Sequence, residues 1–194
     1  VEIKFEEKKK LREQVRKKLA ELETHTFEKY SLDLSTNLFK FFQTINVIQE
    51  KKIIGAFAPI EYEPIWYKSF NTITRDNELK FSFPSIGSTK SEMVFRMANL
   101  EDLVMKSDFG SKILGPNELC EKVVPDLLLI PALAFSKKGE RLGRGKGYFD
   151  RYLENFSGLK IGICFELQLF DRIPVEEHDI LCDMLITEKN IYKY

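Results

Sequence analysis

Between Lys137 and Asp150 the sequence reads KKGERLGRGKGYFD, placing four glycines and five cationic side chains within fourteen residues. Glycines allow backbone N–H groups to approach an oxyanion closely, and the cations neutralise several negative charges. A helix beginning near Gly147 would add the positive end of its dipole. The chemistry this run supports is the cradling of an anion, with polyphosphate as the natural guest; the plain alternative is a solvated loop whose cations only aid solubility. The spacing is not that of a Walker A loop. Glu140 stands where its first glycine would fall, and Gly147 replaces the Ser or Thr that would hold magnesium. Gly143, Gly145 and Gly147 run as GxGxG, so the dinucleotide fingerprint GxGxxG does not apply either.

The elements that must position this loop follow from the hydrophobic pattern. Asp126 to Ile130 is an almost wholly aliphatic run bounded by Pro125 and Pro131, the pattern of a central strand covered on both faces. Ahead of it the spacing predicts helices over Lys4–Glu23 and Leu34–Gln49, and a buried strand over Ile53–Ala58. A helix is expected over Glu63–Phe70, then strands over Leu79–Phe83, stopping at Pro84, and over Met93–Ala98. The stretch from Asn99 to Lys122 is broken by Gly110, Gly115 and Pro116 into turns and short helices. Beyond the loop the pattern predicts a helix from Gly147 to Phe156 and strands over Lys160–Phe165 and Leu181–Thr187. This alternation specifies a single α/β domain spanning residues 1–194, a three-layer open, mostly parallel sheet with helices on both faces. Ligands in such sheets bind beyond the carboxyl ends of the strands, which is where the glycine-rich loop falls.

Composition narrows the possible partners. Lys plus Arg total 30 and Asp plus Glu total 30, so the chain as a whole carries no electrostatic footprint for nucleic acid or an anionic membrane. The content of 43% hydrophobic residues, including 16 Phe, excludes a wholly disordered chain. No stretch approaches the roughly 18 apolar residues needed to cross a bilayer, and the charged start, Val1 to Lys10, has no signal-type apolar run. Cys120, Cys164 and Cys182 form an odd set without CxxC spacing, which points to free thiols and a reducing cytoplasm. A monomer or weak dimer acting on small molecules is expected.

The run Pro131–Leu153, PALAFSKKGERLGRGKGYFDRYL, closely resembles the signature of the 5-formyltetrahydrofolate cyclo-ligase family, also called methenyltetrahydrofolate synthetases. Two further elements support the resemblance: Lys8-Lys9-Lys10-Leu11-Arg12 near the start, and Pro174, His178, Asp179 and Asp183 near the end. It implies an ATP- and Mg2+-dependent closure of the 5-formyl group onto N10, giving 5,10-methenyltetrahydrofolate, ADP and phosphate. ATP would phosphorylate the formyl oxygen, which otherwise leaves poorly. Such phosphoryl transfer relies on positioning and charge neutralisation.

By resemblance, Arg141, Leu142, Gly143, Arg144, Gly145, Lys146, Gly147, Tyr148 and Phe149 grip ATP, with Arg144 and Lys146 as the catalytic cations. Lys8 and Arg12, one helical turn apart, reach the same site from the first helix. Asp150 and Asp179 match the magnesium positions. Glu61 matches the acid that binds the pteridine, for which a carboxylate accepting two N–H groups is well suited; Glu63 is its near rival. Arg144 and Tyr148 also contact the folate by resemblance. Trp66, Tyr67, Phe83, Met93 and Phe95 read first as core. The chain departs from the family pattern at Ser136, where an acid is usual, at Phe149, where a second Tyr is usual, and at Pro64, where a Thr often stands. Two rivals stay open on the residues alone: a phosphosugar or CoA enzyme on the same scaffold, and a nucleic-acid footprint from the basic helix and loop.

Overall fold

Val15 and Leu19, with Leu11 beside them, form the single apolar stripe of the first helix, α1 (Glu2–Ala20), whose other faces are charged. The computed structural model describes residues 2–47, 49–70, 79–87, 89, 92–110, 112–176 and 179–194. The second helix, α2 (Thr24–Thr44), begins ten residues before the apolar pattern predicts. Its buried face runs Ser31, Leu34, Ser35, Leu38, Phe41 and Phe42 at helical spacing. The two serines hide that periodicity from a hydropathy reading. They are buried because they serve other backbone: Ser31 Oγ accepts the Ile65 N–H at 3.2 Å and Ser35 Oγ the Ser69 N–H at 2.7 Å. Those N–H groups are therefore spent on α2. The expected helix over Glu63–Phe70 is correspondingly a set of turns ending in a single 3-10 turn, Lys68–Phe70.

The strands follow as β1 (Ile53–Gly55), β2 (Lys80–Ile86), β3 (Met93–Met97), β4 (Val104–Lys106), β5 (Ile113–Gly115), β6 (Lys122–Val123) and β7 (Leu127–Pro131). After these come β8 (Ala134–Ser136), β9 (Arg141–Leu142), the helix α3 (Tyr148–Leu153), β10 (Leu159–Ile163), β11 (Leu169–Phe170), β12 (Met184–Ile186) and β13 (Ile191–Lys193). Among the described residues they build an eight-stranded sheet in the order β13-β12-β10-β7-β1-β2-β3-β6. The run from β12 to β2 is parallel, while β13, β3 and β6 add antiparallel edges. A small sheet, β11-β8-β9, and the hairpin β4-β5 stand apart. The fold class is thus the mixed, mostly parallel α/β sheet expected. Three further local expectations are corrected. The 99–122 stretch, expected as turns and short helices, holds the β4-β5 hairpin and one 3-10 turn, Leu100–Asp102. β2 continues through Pro84 because its pairing with β1 ends at Ser82, leaving an open edge where a missing N–H is tolerated. α3 ends at Leu153, short of Phe156, so its dipole is weaker than a longer helix would give.

β7 shows why the sheet lies where it does. Leu127 and Leu129 join the core beneath α1 and α2, while Leu128 and Ile130 join the core beneath α3. A strand buried on both faces reads as an unbroken aliphatic run. The three cysteines are free, with Cys164 and Cys182 buried. No helix among the described residues is long and apolar enough to cross a membrane.

Candidate active site

Past the carboxyl ends of β1, β2 and β7 lies one cleft with two unlike walls. Phe57, Ala58, Ile60, Pro84, Met93, Ile113, Leu114, Pro131 and Ala132 form an apolar side. Arg141, Gly143, Arg144, Gly145, Lys146, Gly147, Tyr148, Phe149 and Asp150 form the other. The loop therefore opens on a cavity rather than on bulk solvent.

Its shape comes from its root and its glycines. Ser136, buried, accepts the N–H groups of Lys138 and Glu140 on its Oγ at 3.1 and 3.3 Å, so a hydroxyl organises the turn where the family usually has an acid. Gly145 and Gly147 adopt φ of 96° and 69°, a left-handed region in which a Cβ is strained.

The cations are bound in different ways. Arg141 is buried and pairs with Asp150, with its Nε left without a hydrogen-bond partner among the described residues. Arg12 donates its Nε–H to the Gly143 carbonyl at 2.9 Å and lies against Gly145. Burial, with Arg16 nearby, pulls the Arg12 pKa below its ordinary value, and Asp150 opposes the shift. Lys8 sits 3.3 Å from both Asp179 and Glu176, and Asp179 also accepts the Glu176 N–H at 2.8 Å. Arg144 donates Nε–H to Glu63 at 3.1 Å and places a terminal nitrogen 3.6 Å from Glu61. The Lys146 ammonium lies beside Gly110 and meets no carboxylate within 4 Å among the described residues. Phe109 packs edge-on against Tyr148, with ring centroids 4.7 Å apart, and the Arg151 guanidinium lies 5.0 Å from the Tyr148 ring centroid.

Each residue singled out in the sequence can now be placed. Arg141 to Asp150, except Leu142, line the cleft. Leu142 is buried in the core as part of β9. Arg12 reaches the loop from α1, and Lys8 is joined to the 176–179 segment; His178 lies outside the described residues. Of the two neighbouring acids, Glu63 lines the cleft, whereas Glu61 sits at its exposed rim in a left-handed conformation, φ 42°. Burial raises the Glu63 pKa, while Arg144 and the Ile60 N–H lower it and Glu61 raises it. Trp66, Phe83 and Phe95 are core, and Met93 faces the cleft. Phe57, Phe109, Ile113 and Leu114 are contributions the sequence reading missed. The last three belong to the hairpin and its loop, where glycines and charges mask a short apolar alternation.

As to magnesium, Asp150 fits a single carboxylate ligand at the cleft wall, one oxygen being held by Arg141. Asp179 carries two partners, Lys8 and the Glu176 N–H, both on Oδ2, and neither it nor Lys8 is among the residues lining the cleft. No cluster of three or more acidic, His or Cys residues that could enclose a metal occurs among the described residues. That is compatible with an ion held mainly through phosphate oxygens and water.

A mostly parallel α/β sheet with a glycine-rich cationic loop over its strand ends defines the class: an open α/β scaffold with a cleft at the strand exits. Comparison with known proteins makes it specific. Residues 4–188 match the model of the 5-formyltetrahydrofolate cyclo-ligase family, and the chain belongs to that family of ligases. It is 33% identical over 185 residues to the 5-formyltetrahydrofolate cyclo-ligase of Mycoplasma genitalium, covering 93% of this chain and 97% of that one. The mouse 5-formyltetrahydrofolate cyclo-ligase is 26% identical, with 93% of each chain covered. Among solved structures, the 5,10-methenyltetrahydrofolate synthetase of Aquifex aeolicus superposes with a TM-score of 0.79 at 29% identity, over 96% of this chain and 92% of that one.

Proposed function

We propose that the cleft binds ATP and 5-formyltetrahydrofolate together and closes the formyl group onto N10 by way of a phosphorylated formyl oxygen. The observation that carries this reading is the pairing of an apolar wall with a glycine–cation wall in one cavity. A flat heterocycle suits the first, and a triphosphate suits the second. Membership of the cyclo-ligase family and the activity for which its relatives are named support the same assignment.

In this mechanism the backbone from Gly143 to Gly147 wraps the phosphates, and Arg12 supports the loop through the Gly143 carbonyl. Arg144 and Lys146 neutralise charge on the transferring phosphoryl group as it passes to the formyl oxygen. N10 then attacks the activated carbon, and inorganic phosphate departs. Glu61, at the rim, accepts hydrogen bonds from the pteridine, and Tyr148 packs against the folate. Lys8 turns from Asp179 to a phosphate oxygen. Asp150, with Asp179, would hold magnesium, which would supply charge shielding for the phosphates. A cytoplasmic enzyme working on free small molecules is consistent with this chemistry.

The test is direct: incubate the purified protein with 5-formyltetrahydrofolate, ATP and magnesium, and follow the absorbance of methenyltetrahydrofolate. Formation that requires both ATP and magnesium supports the mechanism. Formation without ATP, or none at all, refutes it.

A further inference from the structure

Glu63 is the enclosed carboxylate of the cleft, its side chain 9% exposed against 68% for Glu61. Both of its oxygens are engaged: Oε2 accepts the Ile60 N–H at 3.0 Å, and Oε1 accepts the Nε–H of Arg144 at 3.1 Å. The segment that carries it is pinned as well. Ser31 and Ser35 of α2 hold the backbone of Ile65 and Ser69, and Trp66 donates its indole N–H to the Phe57 carbonyl at 2.8 Å. The carboxylate therefore stays where it is, and Arg144 must come to it. Withdrawing Arg144 would strand an ionised group away from water, which is strongly unfavourable.

A guanidinium is planar, so fixing Nε fixes the direction of the whole group. Its two terminal nitrogens remain as the donor edge. Among the described residues the only carboxylate paired with that edge, Glu61, is 3.6 Å away and exposed, so an incoming anion can displace it. One acid is thus built to stay and the other to yield.

We propose that Glu63 is a positioning residue that orients Arg144, so that the terminal nitrogens, and not Nε, meet the transferring phosphoryl group. The proposal rests on the reading of Arg144 given above. It accounts for a buried acid beside a site that must bind an anion, an arrangement that would otherwise only weaken binding. The charged groups facing Glu63 are Arg144 and Glu61; burial raises its pKa, Arg144 lowers it and Glu61 raises it.

The test combines kinetics with a ligand-free measurement. Glu63→Gln keeps the shape and removes the charge; kcat should fall at least tenfold while KM for ATP changes less than threefold. Glu63→Asp, which keeps the charge on a shorter arm, should recover part of the loss. In an Arg144→Lys background, which lacks the planar group, Glu63→Gln should cost less than a further threefold. An equal loss in both backgrounds, or a change confined to KM, overturns the proposal. Independently of turnover and of how the variants fold, the Arg144 Nε–H of the unliganded wild-type protein should exchange with solvent at least tenfold more slowly than that of exposed Arg172. Equal exchange rates overturn it. A protected Nε–H in a protein without ATP-dependent turnover would instead refute the functional reading and leave the Glu63–Arg144 contact in place.

Discussion

Two polar groupings lie past the carboxyl ends of the parallel strands, one around β10 and β12 and the other around the 141–150 loop. In the first, Gln168 accepts the Phe165 N–H at 2.8 Å and donates to the Ala132 and Leu133 carbonyls at 3.1 Å each. Glu166 receives the hydroxyls of Thr187 and Tyr192, and the Glu166 N–H goes to Glu188 at 2.8 Å. Thr187 in turn caps the Lys189 and Asn190 N–H groups. Donors and acceptors there answer one another. In the second grouping, among the described residues, the Arg141 Nε is buried without a partner and the exposed Lys146 meets no carboxylate. Buried polar atoms are normally satisfied, so an unpartnered guanidinium atom at the cleft wall agrees with the anion site proposed above.

The contrast can be broken most forcefully at Arg144. Arg144→Ala should lower turnover per folded molecule about 10²- to 10³-fold, roughly 2.7–4 kcal/mol of lost transition-state stabilisation, and should also lower the thermal midpoint, because it leaves the enclosed Glu63 without its partner. Near-normal turnover would remove the loop from the chemistry. Gln168→Ala tests the satisfied grouping: it strands backbone groups at two strand exits and should destabilise the fold by about 2–3 kcal/mol in denaturant unfolding. Turnover per folded molecule should hold, whereas a selective loss of activity would erase the distinction between the groupings. Gly145→Ala should cost roughly 1–2 kcal/mol because φ is 96° there. Calorimetry should register that cost as about a tenfold weaker uptake of nucleotide.

The smallest effect concerns Glu188, whose pKa burial pushes above the ordinary carboxyl value. Between the unfolded and folded values the native state holds more protons than the unfolded chain, so stability contributed by this group declines as pH rises through that interval. Glu188→Gln, which keeps an acceptor for the Glu166 N–H, should flatten the decline and move the thermal midpoint by at most about 2 °C, under about 1 kcal/mol for a chain of this size. A midpoint with unchanged pH dependence would show that Glu188 does not titrate in that window.

Much of this could be read before any coordinates. The aliphatic run at Leu127–Ile130 announced a strand covered on both faces, and the glycine–cation spacing marked the loop that lines the cleft, because each depends on local composition. What escaped depended on partners distant in sequence. Ser31 and Ser35 look like breaks in an amphipathic helix until the backbone they serve, more than thirty residues on, is in place. Glu61 and Glu63 differ by two positions and are chemically equivalent in sequence; only the fold encloses one and exposes the other. The hairpin that completes the apolar wall was unreadable because its strands are three residues each and draw their meaning from facing one another.

The root of the loop carries a last implication. Gly139, at φ 83°, offers its carbonyl to the Cys182 N–H at 2.9 Å, with the Tyr194 ring close against it, while the Tyr194 hydroxyl donates to the Ser136 carbonyl at 3.4 Å. The margin of the sheet at β13 therefore serves as a mooring for the root of the glycine-rich loop. Removing the aromatic ring at position 194 would slacken that tether from a point outside the cleft.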